Sequence, residues 1–298
     1  SFDDKYDGRI AASENMMEIE NHLNRRDMKQ VAPPGLSRKD SLRWLSYGDK
    51  GQFWTPDDTL QGEALKYWKY QTYIKDYLRC VAGVDRAIGR VLDYLEETGL
   101  SENTLVVYTS DQGFYLGEHG WFDKRWMYEE SLKTPLLVRW PRHVKPGTIN
   151  NDIVSNLDFP ETFLDVAGVD IPSDMQGKSL VPILEGKTPN DWRTAFYYQY
   201  YENPGGHNVA RHYGVTNGQH KLIHFYALEG KKIDDWELFD LKEDPNELRS
   251  VFNDPEYAEV QQYMKSELKR LRKQYAVGPD DDPGRARRNK PKKQANPK

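Results

Sequence analysis

A single cysteine, Cys80, is all the chain contains. That excludes an intrachain disulfide framework and a cysteine-built zinc site. It does not fix a compartment, because exported proteins need not carry disulfides. No apolar run approaches the roughly 20 residues needed to span a bilayer. Excess charge is small: the net value is −5 over 298 residues and the pI is near 5.9, which argues against a general nucleic-acid binder. The chain opens on Ser1 rather than Met, with no targeting segment behind it, and reads as a processed chain or a fragment. Internal repeats are absent. Mean hydropathy of −0.88 and 30% charged residues describe a soluble, surface-rich chain.

Residues 1–60 are mostly polar, and a short helix is expected at 14–24, before the Pro33-Pro34-Gly35 break. The strongest helical pattern covers 62–98. Tyr67, Tyr70, Ile74, Tyr77, Leu78, Val81, Val84, Ile88, Val91, Leu92 and Leu95 recur every three or four residues and predict one buried stripe. Gly99 stops it, and a bend near Gly83 is expected. Strands follow at 104–109 and 134–140, with a helical stretch at 128–133 between them. Asp158 and Glu161 form a capping box for a helix running to Val166, closed by Gly168. This alternation predicts a parallel sheet covered by helices.

Past Trp192 the pattern changes. Aromatic-rich strands are expected at 195–201, 213–216, 221–226 and 236–241, one turn being Asn217-Gly218. They form a small antiparallel sheet on which an amphipathic helix at 255–275 packs. The expected organisation is a lead-in at 1–60, an α/β part at 61–192, an antiparallel subdomain at 193–276 and a disordered tail at 277–298. The seven Lys and Arg of that tail read as a solvated terminus.

The most informative run is Leu105 to Gln112, an apolar strand ending in Ser110, Asp111 and Gln112, then Gly113. Chemistry in α/β sheets gathers beyond strand ends of this kind. A carboxylate beside an amide suits a divalent cation. Twelve residues on comes Lys124, and the loop between holds Gly117, Glu118, His119 and Gly120. Oxygen donors, an imidazole and an ammonium together point to an oxyanion ester. A capped turn at Asp111 and a solvated Lys124 are the plain alternatives. His119 either meets the ester or shapes the loop, while Glu118 reads as structural. His207, Arg211 and His212 form a second, cationic cluster after a Pro-Gly-Gly turn, suited to carboxylate or sulfate. Cys80 lies in the helical stripe and reads as packing.

Taken together, TLVVYTSDQG, LGEHGWFDK, YEESLKTPLLVRWP, SNLDFPETFLDVAG, MQGKSLVPILEG, RHYGVTNGQHKLIHFY and WELFDLKEDPNE resemble the type I sulfatases of the alkaline-phosphatase superfamily over about residues 60–276. The resemblance implies an α/β fold, part of a mostly parallel sheet flanked by helices, plus a C-terminal antiparallel sheet with a packed helix. It implies Ca2+ held by Asp111 and Gln112 together with two earlier aspartates, and Lys124 on the sulfate and the bridging oxygen. The family's formylglycine arises from a Cys/Ser-x-Pro-x-Arg motif, which does not occur here. Asp3-Asp4 follows no apolar strand, and Asp57-Asp58 reads as a helix cap, so the early metal pair is unmatched.

The chain is therefore expected to be the C-terminal portion of a sulfatase, inactive and poorly folded without the N-terminal portion of the same protein. The implied partner is a sulfated carbohydrate, with N-acetylglucosamine 6-sulfate from a glycosaminoglycan as the leading case, and no nucleic acid or membrane span. A periplasmic or secreted location follows from family habit. Two other readings stay open. One is a phosphonate or phosphate monoester hydrolase of the same superfamily; the other is a non-catalytic glycan-binding remnant.

Overall fold

The computed structural model describes residues 1–47, 60–203, 205–228 and 231–278. In chain order the elements are α1 (Ile10–Ser13), α2 (Arg38–Tyr47), α3 (Gly62–Glu97), β1 (Val106–Thr109), β2 (Tyr115–Leu116), β3 (Phe122–Asp123), α4 (Glu129–Leu132) and β4 (Leu136–Arg139). Then come α5 (Asp158–Val166), α6 (Val181–Leu184), β5 (Phe196–Tyr200), β6 (Arg211–Thr216), β7 (His220–Leu228), β8 (Lys231–Asp240) and α7 (Ala258–Gln274). Two compact units share this sequence. The first comprises 1–4, 16–124 and 133–142; the second comprises 5–15, 125–132 and the chain from 143 onward. The mixed α/β class agrees with the sequence reading, but a linear boundary at 192 does not describe these units.

In the first unit, α3 runs unbroken through Gly83, and Gly99 ends it at φ 73°, a conformation glycine adopts without steric cost. Its N-terminal turns bury against Ile19, Leu23, Met28 and Phe122, with Trp68, Tyr70 and Tyr73 packed on that cluster. The expected buried stripe fails farther along: Leu78 is 54% exposed and Val91 58%, with Val81 and Val84 also exposed. An amphipathic helix with an uncovered apolar stripe lacks its packing layer among the described residues. The expected helix at 14–24 does not form. That stretch instead pairs with the chain near Trp121, where Glu18 bridges to Trp121 and the Ile19 N–H donates to the Gly120 carbonyl at 2.8 Å.

Strands β1 and β4 pair antiparallel, Val106 opposite Arg139 and Thr109 opposite Leu136. This corrects the expected parallel arrangement for that pair. A parallel crossover usually carries a helix across the sheet, whereas the longest helix between these strands, α4, has four residues. All pairing among the described residues is antiparallel.

The second unit is built on a four-stranded antiparallel sheet in the order β5-β6-β7-β8. Asn217 closes the β6–β7 turn, its Oδ1 accepting from the His220 N–H at 2.7 Å. Ala195, Val215, Leu222 and Leu238 meet Met264, Leu268 and Leu271 of α7, as the sequence pattern predicts. Asp158 does not cap α5; the helix begins on it. Its buried carboxylate instead takes both terminal nitrogens of Arg193 and the Lys178 N–H at 2.9 Å. Glu161 accepts from the Gly177 N–H at 2.6 Å. These bonds tie 155–178 to the sheet, which is why the unit reaches back before residue 192. Asp57-Asp58 and residues 279–298 lie outside the described residues.

Below the sheet lies a buried charged network. Lys221, 0% exposed, sits 2.8 Å from both Glu129 and Glu247. Arg9 donates to the Tyr128 hydroxyl at 3.3 Å and to the Glu247 carbonyl at 3.2 Å, while Tyr128 donates to Glu237 at 2.7 Å. Three carboxylates thus face two cations. Burial pushes the Glu237 carboxyl up to about 8 and Glu247 up to about 7. An unfolded glutamate titrates near 4.5. Between that value and about 8 the native state keeps a proton that the unfolded chain has lost, so stability falls as pH rises through this window. We expect the thermal midpoint of the second unit to drop from pH 6 to pH 8.5, and less in Glu237→Gln. Parallel pH profiles for the two proteins would contradict this assignment.

Candidate functional site

The first unit gathers four of the sequence-predicted residues. Asp111 and Gln112 follow β1 directly, in a bend fixed by the Ser110 hydroxyl, which donates to the Gln112 carbonyl at 2.8 Å. Among the described residues the only partner of the Asp111 carboxylate is that same hydroxyl, at 3.5 Å. Among the described residues no backbone N–H donates to it. The Gln112 side chain makes no hydrogen bond among the described residues. Asp111 is exposed and Gln112 half-buried.

From Gln112 the chain enters the β2–β3 hairpin, which pairs Tyr115 with Asp123 and Leu116 with Phe122. Lys124 follows immediately. Its ammonium lies 5.8 Å from the centroid of the Phe114 ring, and Phe114 stacks on Tyr77 of α3 at 5.9 Å. Phe114 is two residues beyond Gln112, and each residue spans at most about 3.5 Å. The hairpin therefore returns Lys124 to the neighbourhood of the acid–amide pair. No carboxylate neutralises this lysine among the described residues.

The hairpin tip is tightly specified. Gly117 stands at φ 119°, and a Cβ there would meet a Tyr70 ring carbon at 2.6 Å, so only glycine fits. His119 (φ 57°) and Asp123 (φ 75°) also hold left-handed backbone, costing about 1 kcal/mol each. Glu118 accepts from the Leu116 N–H at 2.7 Å, which makes it structural, as expected. His119 is 0% exposed, with Tyr115 and Trp121 against its ring. Its Nδ1 lies 2.7 Å from the carboxylate of Asp4. Sequence reasoning passed over Asp4 because no apolar strand precedes it. The usable signal was only that a carboxylate stood within a short polar run.

The second unit holds the other three predicted residues. His212 is wholly buried, its ring stacked on Tyr198 and Tyr200 and in contact with Trp126 and Phe225. Burial brings the imidazole down to about 4, against a weaker opposing bond to the Ala210 carbonyl. It is neutral at physiological pH, so the expected cationic cluster loses this member: an enclosure of four rings offers no water to an imidazolium. Arg211 donates to the Asn203 carbonyl, and the buried Asn203 amide donates to the Val209 carbonyl at 2.8 Å. His207 and Arg211 are half-buried.

Two hard oxygen donors, Asp111 and Gln112, suit Ca2+ in kind but fall short of the six to eight it takes. Among the described residues no three His, Cys, Asp or Glu side chains converge as a metal cage. Nor is any helix among them long and apolar enough to cross a membrane.

The family model described as sulfatase matches residues 3–169, and that described as N-sulphoglucosamine sulphohydrolase, C-terminal, matches 117–274. An N-acetylglucosamine-6-O-sulfatase of Bacteroides thetaiotaomicron is 54% identical over 226 residues, 75% of this chain and 39% of the relative. A solved structure in complex with its substrate D-glucosamine-2-N,6-O-disulfate has a TM-score of 0.83 and 44% identity, covering 94% of this chain and 60% of that one. A phosphonate monoester hydrolase from Silicibacter pomeroyi has a TM-score of 0.64 at 27% identity, covering 84% of this chain and 49% of that one. The chain thus spans about two fifths of the curated relative's length. Matched over more than half its length by either model, and folded like those neighbours, the chain belongs to the sulfatase family.

Proposed function

We propose that this chain is the C-terminal portion of a sulfuric ester hydrolase that removes sulfate from a carbohydrate, with a 6-sulfated N-acetylglucosamine as the substrate class. The observation that carries this reading is the uncommitted set in the first unit. Asp111, Gln112 and Lys124 are half-buried or exposed, flank one hairpin, and take no charged partner from the described residues. Polar groups left so are spare capacity for a ligand. The sulfatase relative and the disulfated glucosamine complex support the substrate class.

In this reading Asp111 and Gln112 supply two oxygens to Ca2+, which when bound offsets the charge of the sulfate. The formylglycine belongs to the portion that these residues do not match. Lys124 holds the sulfate and stabilises charge gathering on the bridging oxygen as the sulfur–oxygen bond breaks. His207 and Arg211 present N–H donors to sulfate or carboxylate groups of the sugar. The enclosed His119 shapes the hairpin. The uncovered stripe on α3 packs against the N-terminal portion of the same polypeptide, and a periplasmic or secreted location suits a glycan substrate.

A phosphonate or phosphate monoester hydrolase is the second reading, supported by the Silicibacter pomeroyi neighbour. Assayed on matched aryl sulfate, phosphate and phosphonate esters, the full-length protein is expected to turn over sulfate fastest; faster phosphate or phosphonate release would favour the second reading. Lys124→Ala is expected to lower kcat about 100- to 1,000-fold. A variant as active as the parent would reject the role given to Lys124.

This chain expressed alone is expected to release no sulfate and to bind an apolar dye through its α3 stripe. Co-expression with the remaining portion should suppress the dye signal and restore turnover. If sulfate is released by the chain alone, the division of the site proposed here is wrong. A glycan-binding remnant would show sugar binding with no turnover even in the full-length protein.

A further inference from the structure

Asp4 is nearly as buried as the ring it meets: the two side chains are 4% and 0% exposed, 2.7 Å apart. The segment that carries Asp4 is itself held in place. Asp3 receives the Lys66 ammonium at 2.7 Å, Phe2 packs on Tyr70 at 4.9 Å, and Lys66 stands 4.9 Å over the Phe2 ring. Lys66 and Tyr70 share one face of α3, four residues apart. The carboxylate of Asp4 is thereby delivered to a fixed point, where it meets the imidazole at the tip of the hairpin.

That hairpin needs holding. Gly117, His119, Gly120 and Asp123 all stand at positive φ within seven residues, and Lys124 follows Asp123 directly. Backbone in such conformations persists only where surrounding structure enforces it. Several bonds do so, among them Glu118 to the Leu116 N–H, the Gly120 carbonyl to the Ile19 N–H, the Met17 carbonyl to the Phe122 N–H, and His119 to Asp4. Of these, the last alone joins two buried side chains.

We propose that Asp4 is a positioning residue for Lys124, acting through His119: its carboxylate fixes the imidazole, the imidazole fixes the hairpin tip, and the tip sets where the ammonium lies. The proposal rests on the role given to Lys124 above. No bond is made or broken at Asp4 or His119.

The test separates positioning from mere support of the fold. Lys124 acts on charge at the leaving oxygen, so its displacement costs more on esters with a poor leaving group than on those with a good one. Loss of folded protein scales all substrates equally. In the full-length protein, Asp4→Ala is expected to lower kcat about 10- to 100-fold on an aryl sulfate with a high leaving-group pKa, and distinctly less on one with a low pKa. Asp4→Asn keeps an acceptor for the Nδ1 proton and should recover most of the loss.

His119→Gln, measured beside them, should follow Asp4→Ala and decides the matter should Asp4→Ala not fold. Equal losses across leaving groups, or none, in the variants that fold would overturn the proposal. Lys124→Ala serves as the reference. If it shows no leaving-group dependence, the role of Lys124 fails first and takes the proposal with it. If it does while Asp4→Ala and His119→Gln do not, the positioning role alone is wrong.

Discussion

The site depends on a chain reversal. Between Gln112 and Lys124 the backbone must leave the end of β1, turn through a two-residue-per-strand hairpin and come back, and that ladder is too short to specify the path. What specifies it is a set of side chains brought from elsewhere in the first unit. Tyr70 closes on Gly117, Tyr77 underlies Phe114, and Asp4 grips His119. The strain in the left-handed residues is offset by these contacts, and the polar groups at Asp111, Gln112 and Lys124 are left with no partner of opposite charge among the described residues.

The second unit solves a different problem with the same currency of buried polar groups. Its apolar core, shared between the sheet and α7, would fold by pattern alone. The charged network on Arg9, Tyr128, Lys221, Glu237 and Glu247 instead recruits segments far apart in sequence. Removing Glu247 would take a carboxylate from the buried Lys221 ammonium, and breaking a buried ion pair from one side costs about 3–5 kcal/mol. Such a network defines which segments belong to the unit more than it adds to stability. His212 belongs to this class of residue: it reads as a ligand in sequence and serves as a neutral ring in a stack.

Much of this was legible in the residues. Period-2 aromatic runs gave β5 to β8, and the three-four spacing gave α3 and α7, because those patterns reflect which face is buried. The Asp111-Gln112 and Lys124 group is legible only as residue types suited to a cation and an anion. What escaped depends on contacts between residues remote in sequence. Asp4 gains its meaning only from His119, 115 positions away. Asp158 spelled a capping box until Arg193 arrived to take its carboxylate. The antiparallel β1–β4 pair could not be told from a parallel one, since a buried strand carries no mark of its neighbour's direction. The stripe on α3 is legible as apolar but not as uncovered, because periodicity reports what a surface is made of and not whether its partner is at hand.

Asp111 and Gln112 are proposed to serve one bound sulfate ester through a cation, and Lys124 to serve it directly. A crystal structure of the full-length protein with calcium and a 6-sulfated N-acetylglucosamine would test this most directly. The ion is expected on the side-chain oxygens of Asp111 and Gln112, and a sulfate oxygen within hydrogen-bonding distance of Lys124 Nζ. An ion bound elsewhere, or Lys124 turned away from the sulfate, would contradict it.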